Sequence, residues 1–131
     1  MASPNLNSKI ASIVIGDDKP VVRTYKLSVP ADTTISKAWV TVKRRESDAD
    51  ASALLQFTIT TSATANGQIT DANTVGGSIG LTFWLSKAFT KTLKAGAAYY
   101  YDVQLETFEG KLLTVEKGTF TPVQEVTKAE V

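Results

Sequence analysis

The sequence predicts an all-β fold, an antiparallel sandwich of about seven strands with a short arm at each end. Three observations support this prediction. Apolar residues recur at every second position in several segments, helical spacing is nowhere sustained, and small polar connections separate the segments. A chain of 131 residues is long enough to bury one core. We therefore expect one domain over residues 13–123, an arm over residues 1–12 and a tail over residues 124–131.

Four segments before the carboxy-terminal third alternate between apolar and polar residues, which is typical of strands with one face on the core. Their expected inward residues are Val21, Tyr25, Leu27 and Val29, then Ala38, Val40 and Val42, then Leu55, Phe57 and Ile59, and finally Ile79, Leu81, Phe83 and Leu85. Arg23 interrupts the apolar face of the first segment.

The last two strands are expected to form a hairpin. Glu109-Gly110 offers a residue that tolerates positive φ followed by a glycine, which suits a tight turn. After the turn, the apolar residues change from odd-numbered positions, at Leu113 and Val115, to an even-numbered position at Phe120. This shift predicts a β-bulge at Gly118.

The spacing of Leu93, Gly96 and Tyr99, followed by strand alternation, resembles the corner at the start of strand F in immunoglobulin-like sandwiches. At such a corner the tyrosine ring packs on the core and its hydroxyl reaches a backbone group a few residues upstream. We expect Tyr99 to be the corner residue, Tyr101 to face the core and Tyr100 to face outward. The predicted fold class is therefore an immunoglobulin-like antiparallel β-sandwich.

Composition argues against catalysis and cofactors. The chain has no Cys and no His, so thiolate nucleophiles, disulfides, the usual zinc ligands and a near-neutral acid–base group are all missing. We expect no enzyme activity, no metal and no cofactor. The formal net charge of +1 provides no long-range attraction to nucleic acid, and no apolar stretch is long enough to span a bilayer. The amino terminus has no basic region followed by an apolar run, so no secretory signal is expected. The expected setting is the cytoplasm or a larger particle.

Two pairs of aspartates and one basic run could be binding sites, but each has a simpler explanation. The pairs Asp17 with Asp18 and Asp48 with Asp50 could contribute to a calcium site, although calcium needs six to eight oxygens and solvated turns explain both pairs better. The run 43–45 could bind a phosphate or an acidic partner, but acidic residues follow it at once. A solvent-facing strand end is the preferred interpretation.

Three aromatic residues are candidate interface positions. Trp39 and Trp84 are out of phase with the apolar faces of their strands, and Tyr100 is expected to point outward. Exposed large aromatics often mark contact surfaces. Alternatively, one tryptophan belongs to the core with the faces shifted by one residue, or a second sheet covers it. An aromatic platform also binds sugars, so both protein and carbohydrate partners remain open.

Several segments, in their order, resemble the immunoglobulin-like amino-terminal domain of tailed-phage upper baseplate proteins, a pattern that recurs in small phage virion proteins. The segments span roughly residues 13–126, and are 16–20, 35–43, 101–105, 109–111 and 116–123. The resemblance implies a structural virion protein of the tail, baseplate, collar or capsid surface, made in the host cytoplasm. It also implies other virion proteins as partners, many copies on a symmetric lattice, and no active site. The alternative is a carbohydrate-binding or adhesive β-sandwich module.

Overall fold

The computed structural model describes residues 5–26, 33–72 and 78–124, with only the backbone described for residues 5–7. Strands dominate this part of the chain, together with one short α-helix, α1 (Lys87–Thr90), and a 3₁₀ turn at Asp50–Ser52. The strands are β1 (Asn5–Lys9), β2 (Lys19–Lys26), β3 (Ile35–Lys43), β4 (Leu55–Ile59), β5 (Gly67–Asp71), β6 (Ser78–Leu85), β7 (Tyr99–Thr107) and β8 (Leu112–Phe120).

The strands form two sheets whose order is that of an immunoglobulin-like sandwich. One sheet has the order β1-β8-β7-β3-β4 and the other has the order β2-β6-β5. Strands β3, β7 and β8 take the places of strands C, F and G, while β2, β6 and β5 take those of B, E and D. Strand β4 extends the larger sheet beside β3, as in variable-type domains. The predicted fold class is confirmed.

The core lies between the two sheets and is built from the predicted alternation. The inward-facing apolar residues of β3 and β6 meet between the sheets and are buried. They are Ala38, Val40 and Val42 of β3 and Ile79, Leu81 and Phe83 of β6. Phe57 of β4 is only partly buried, because β4 is an edge strand, but its ring lies 6.2 Å from that of Phe83. Leu27 and Val29, also expected in the core, fall outside the described residues.

The segment expected to be an amino-terminal arm, residues 1–12, contributes a strand and a core residue in its described part. Residues 5–9 form β1, which pairs in parallel with β8, and Ile10 is buried in the core. The close approach of β1 explains Gly118: a Cβ there would lie 2.1 Å from the carbonyl oxygen of Ser8. With β1 and β5 included, the described part of the chain has eight strands where about seven were expected.

The β-bulge in β8 occurs earlier than predicted. Val103 of β7 pairs with Glu116 and Gln104 pairs with Thr114, so Val115 is the extra residue. Gly118 pairs in regular register with Tyr101, and the predicted bulge position is therefore wrong. Because of the bulge, the adjacent residues Val115 and Glu116 are both buried.

The predicted hairpin turn at Glu109-Gly110 is confirmed. The Gly110 N–H donates to the carbonyl oxygen of Thr107 over 2.9 Å, and Gly110 has a φ of 84°. This left-handed conformation is easy for glycine and costly for most other residues.

Candidate functional site

The tyrosine at the start of β7 ties the preceding loop to the core. The Tyr99 hydroxyl accepts a hydrogen bond from the Lys94 backbone N–H over 2.9 Å, and its ring stacks on Phe120 at 5.4 Å. Leu93 is buried nearby, and Gly96 has a φ of 80° that suits glycine. Tyr101 is buried, whereas Tyr100 is half-buried on the outer face of the larger sheet. The three consecutive tyrosines thus occupy three different environments.

Glu116, which is 1 % exposed, lies at the centre of a hydrogen-bonded cluster of side chains. One carboxylate oxygen accepts hydrogen bonds from Arg23 Nε over 2.9 Å and from the Tyr25 hydroxyl over 2.7 Å. The other oxygen accepts from the Ser8 hydroxyl over 3.1 Å and from the Tyr101 hydroxyl. Glu116 therefore connects β8 to β1, to β7 and, across the core, to β2.

The cluster holds Glu116 in its charged form. Burial alone would raise the pKa of this carboxyl, but hydrogen bonds from Tyr101, Arg23 and Tyr25 outweigh burial and lower the pKa below 4.5. Burial and the bond to Glu116 raise the pKa of Tyr101 to about 12, so this phenol remains protonated and donates. Since each carboxylate oxygen already accepts two hydrogen bonds, the arrangement suits a structural role rather than proton transfer.

Sequence patterns did not reveal this cluster, although they contained one sign of it. Arg23 stands on the apolar face of β2, and a cation that is partly buried at such a position calls for an acceptor nearby. The partner could not be identified, because only the bulge at Val115 turns Glu116 inward.

Residues of the two aspartate pairs and of the basic run contact other groups of the protein. Asp18 accepts from the Lys87 N–H at the start of α1 over 2.6 Å, and Asp48 accepts from the Arg45 N–H over 3.2 Å. Lys43 pairs with Asp50 at 2.8 Å. Arg44 donates to the Ala98 carbonyl over 2.7 Å and lies over the Tyr99 ring.

The three candidate aromatics do not form one platform. Trp39 and Tyr100 lie on the outer face of the larger sheet, where Trp39 pairs with Thr58 and Gln104 and has the Lys37 ammonium 5.3 Å from its ring centre. Trp84 lies on the outer face of the smaller sheet and is 41 % exposed. A binding surface that needs all three on one face is excluded.

Trp84 belongs to a compact apolar surface on the smaller sheet. It pairs in register with Pro20, which is exposed, and Val22 is its diagonal neighbour at 69 % exposure. We call Pro20, Val22 and Trp84 the sheet-end surface. It lies near the point where β6 leads through α1 to the corner at Tyr99.

A second apolar surface lies at the opposite end of the sandwich. Phe108 in the β7–β8 turn is 73 % exposed, and Leu112 at the start of β8 is 55 % exposed. We call these two residues the hairpin-tip surface. Strand β7 leads from the corner to this tip and spans roughly 25 Å at about 3.3 Å per residue.

Within residues 5–26, 33–72 and 78–124, no group of three or more acidic, His or Cys side chains could hold a metal ion. Over the same residues, no helix has the length and apolar character needed to cross a membrane.

Comparisons with known proteins add little beyond this description. No family model matches the chain, and no curated protein matches it. Among solved structures, Drosophila OTK extracellular domains 3–5 share 14% identity with the chain at a TM-score of 0.36, over 97% of this chain and 35% of that one. Murine CRIg shares 11% identity at a TM-score of 0.35, over 95% of both chains. The chain thus spans about a third of the OTK structure, and the fold assignment rests on the strand order described above.

Proposed function

We propose that this chain is a non-enzymatic structural protein of a tailed-phage virion that acts by protein–protein contact. The observation that carries the proposal is the pair of exposed apolar surfaces at opposite ends of one sandwich. The virion setting is supported by the resemblance of the segments over residues 13–126 to the phage family. The protein would be made in the host cytoplasm and would be part of the tail, baseplate, collar or capsid surface.

Two separated apolar surfaces suit a subunit that contacts two neighbours. A contact between unlike surfaces repeats from copy to copy, and it closes into a ring or covers a lattice when the geometry permits. Many simultaneous contacts then make individually weak ones sufficient. Partners of this kind are further copies of the chain and other virion proteins.

The polar interior supports a structural role as well. Glu116, the buried carboxylate of the described core, has each oxygen occupied by two donors of the protein itself. The sequence provides no His or Cys for acid–base or nucleophilic chemistry. In the proposed role, these side chains stabilise the fold and take no part in a chemical reaction.

The proposal is tested by adding purified protein back to phage particles that lack it and measuring the bound copies by quantitative mass spectrometry. Val22→Ser with Trp84→Ser should remove one contact, and Phe108→Ser with Leu112→Ser should remove the other. Exposed substitutions usually change stability by no more than about 0.5 kcal/mol, so these variants should fold. Leu54→Ser, at a 47 % exposed leucine outside both surfaces, is the matched control. Undiminished binding of both double variants would contradict the proposal.

A further inference from the structure

The outer face of the larger sheet contains a shallow groove that the proposed function does not use. Its volume is about 320 Å³, and residues of β3, β7 and β8 line it. The lining includes the side chains of Thr41, Lys43, Tyr100, Asp102, Thr114 and Lys117. A volume near 300 Å³ is at the lower end of the range for small-molecule sites.

Asp102 lies in this groove between Thr41 and Lys117, its neighbours on β3 and β8. It is half-buried, and burial raises the pKa of its carboxyl in spite of Lys43 and Lys117 nearby. Within the described part of the chain, this carboxylate accepts no hydrogen bond and has no ion-pair partner within 4 Å. Burial of a carboxylate that has gained no protein donor disfavours its charged form even when the burial is partial, and such groups concentrate at binding sites.

Each of the two lysines of the groove forms an ion pair with a carboxylate other than Asp102. Lys43 Nζ donates to the Asp48 carbonyl oxygen over 2.8 Å and pairs with Asp50 at 2.8 Å. Lys117 pairs with Glu46 on the rim. The groove and its ion-pair partners thus contain two ammonium groups and three carboxylates, which leaves one negative charge in excess at Asp102.

The remaining lining can both stack and hydrogen-bond. Tyr100 is half-buried on this face beside Lys43 and Thr119, and it supplies an aromatic ring and a phenol. Thr41 and Thr114 add hydroxyl groups, of which that of Thr41 accepts from Gln56 Nε2 over 3.1 Å. Donors, acceptors and one ring therefore surround the carboxylate.

We propose that this groove binds one ring of a neutral saccharide. Sugar hydroxyl groups both donate and accept, so they would supply the donors that Asp102 lacks and use the spare donors of the lysines. The apolar C–H face of the ring would pack against Tyr100. The excess negative charge disfavours acidic sugars. The inference does not depend on the virion role, because it concerns a different surface and a different ligand.

The experiment is an amide-resolved NMR titration of the full chain with methyl glycosides of glucose, galactose, mannose and N-acetylglucosamine, each to roughly 50 mM. At least one should shift the amides of residues 100–102 and 117–118, and glucuronic acid should shift them far less. Asp102→Asn and Tyr100→Ala should each weaken the affinity about tenfold or more. Asp102→Asn removes a charge that burial disfavours, so it should fold, and its amide spectrum checks this.

Thr24→Ala, at an exposed position of β2 on the opposite sheet, is the control and should bind like the unmodified chain. Absence of shifts with all four neutral glycosides would overturn the proposal, as would full affinity in a folded Asp102→Asn variant. Shifts with N-acetyl-arginine amide but with no glycoside would also overturn it, because the groove would then be a site for a cationic side chain. None of these outcomes bears on incorporation into particles.

Discussion

Glu116 shows at the residue scale how one buried side chain connects the whole sandwich. Its carboxylate receives donors from β1, β2 and β7, and the Arg23 and Tyr25 bonds cross from one sheet to the other. In many immunoglobulin domains a disulfide links the two sheets. This chain has no Cys, and the Glu116 cluster provides a non-covalent link between the sheets instead.

We expect Glu116→Gln to lower the free energy of unfolding by about 3 kcal/mol. An amide keeps the shape but leaves Arg23 without its counter-charge and turns donors toward the phenols of Tyr25 and Tyr101. Urea unfolding measures the change. Glu106→Gln is the control, because its pair with Lys37 at 4.0 Å is partly exposed and should matter by less than about 1 kcal/mol. Equal effects of the two substitutions would contradict this role for Glu116.

Glu116 should also make stability depend on pH in the acid range. Its pKa is lower in the folded chain than the ordinary value of 4.5, so the unfolded chain takes up the proton first as pH falls. The stabilisation is therefore complete above pH 4.5 and is lost as pH falls through the folded-state value. Unfolding curves measured between neutral and acid pH should show a smaller loss for Glu116→Gln than for the unmodified chain. Parallel curves would show that Glu116 does not contribute to the acid sensitivity.

The corner tyrosine allows a comparison between adjacent residues of the same type. Tyr99→Phe removes the acceptor for the Lys94 N–H and should cost about 1 kcal/mol in unfolding free energy. Tyr100→Phe should change stability little, because Tyr100 is on the outer face. Thermal and urea unfolding of the two variants provide the measurement. A larger loss for Tyr100→Phe would show that the corner bond is not the stabilising contact.

The edge strands β1 and β5 show, at the scale of the elements, what sequence patterns can and cannot predict. Strands β2, β3, β4, β6, β7 and β8 were predictable because their apolar residues alternate over a buried face. Strand β1 has no such alternation: its pairing with β8 depends on backbone hydrogen bonds and on Gly118. Strand β5 contributes Ile69 to the core, with little further apolar pattern to mark it.

Gly118→Ala should detach β1 from the sheet. The added Cβ would meet the Ser8 backbone at 2.1 Å, and overpacking of this kind costs about 1–3 kcal/mol. Hydrogen exchange should show lost protection at Ile10, whose N–H donates to the Thr119 carbonyl oxygen over 3.3 Å. Gly80→Ala is the control, since its Cβ would lie 3.0 Å from the end of the Thr70 side chain, which can move. Unchanged protection at Ile10 in Gly118→Ala would contradict the proposed close approach.

At the scale of the whole molecule, the fold could be predicted from the sequence, but the arrangement of its surfaces could not. The corner at Tyr99 and the turn at Glu109-Gly110 are short-range patterns, and they identified the sandwich. The sequence also placed Trp39, Trp84 and Tyr100 out of phase with the core. Their distribution over two opposite faces depends on which strands share a sheet, and alternation along a single strand contains no such information.

The two apolar surfaces lie at opposite ends of the molecule, as the proposed role in joining neighbouring subunits requires. The sheet-end surface and the hairpin-tip surface lie on different elements, so each can contact a neighbour without blocking the other. The groove at Asp102 is on a third region, the outer face of the larger sheet. A particle subunit could therefore hold its place by its ends and still present this groove to solvent.

The most direct test of the central proposal is quantitative mass spectrometry of purified phage particles, with the mass of the isolated chain measured by sedimentation. A structural virion protein should be present at a reproducible copy number that matches the rotational symmetry of the particle. A chain that is absent from purified particles and remains a monomer at every concentration in solution would contradict the proposal.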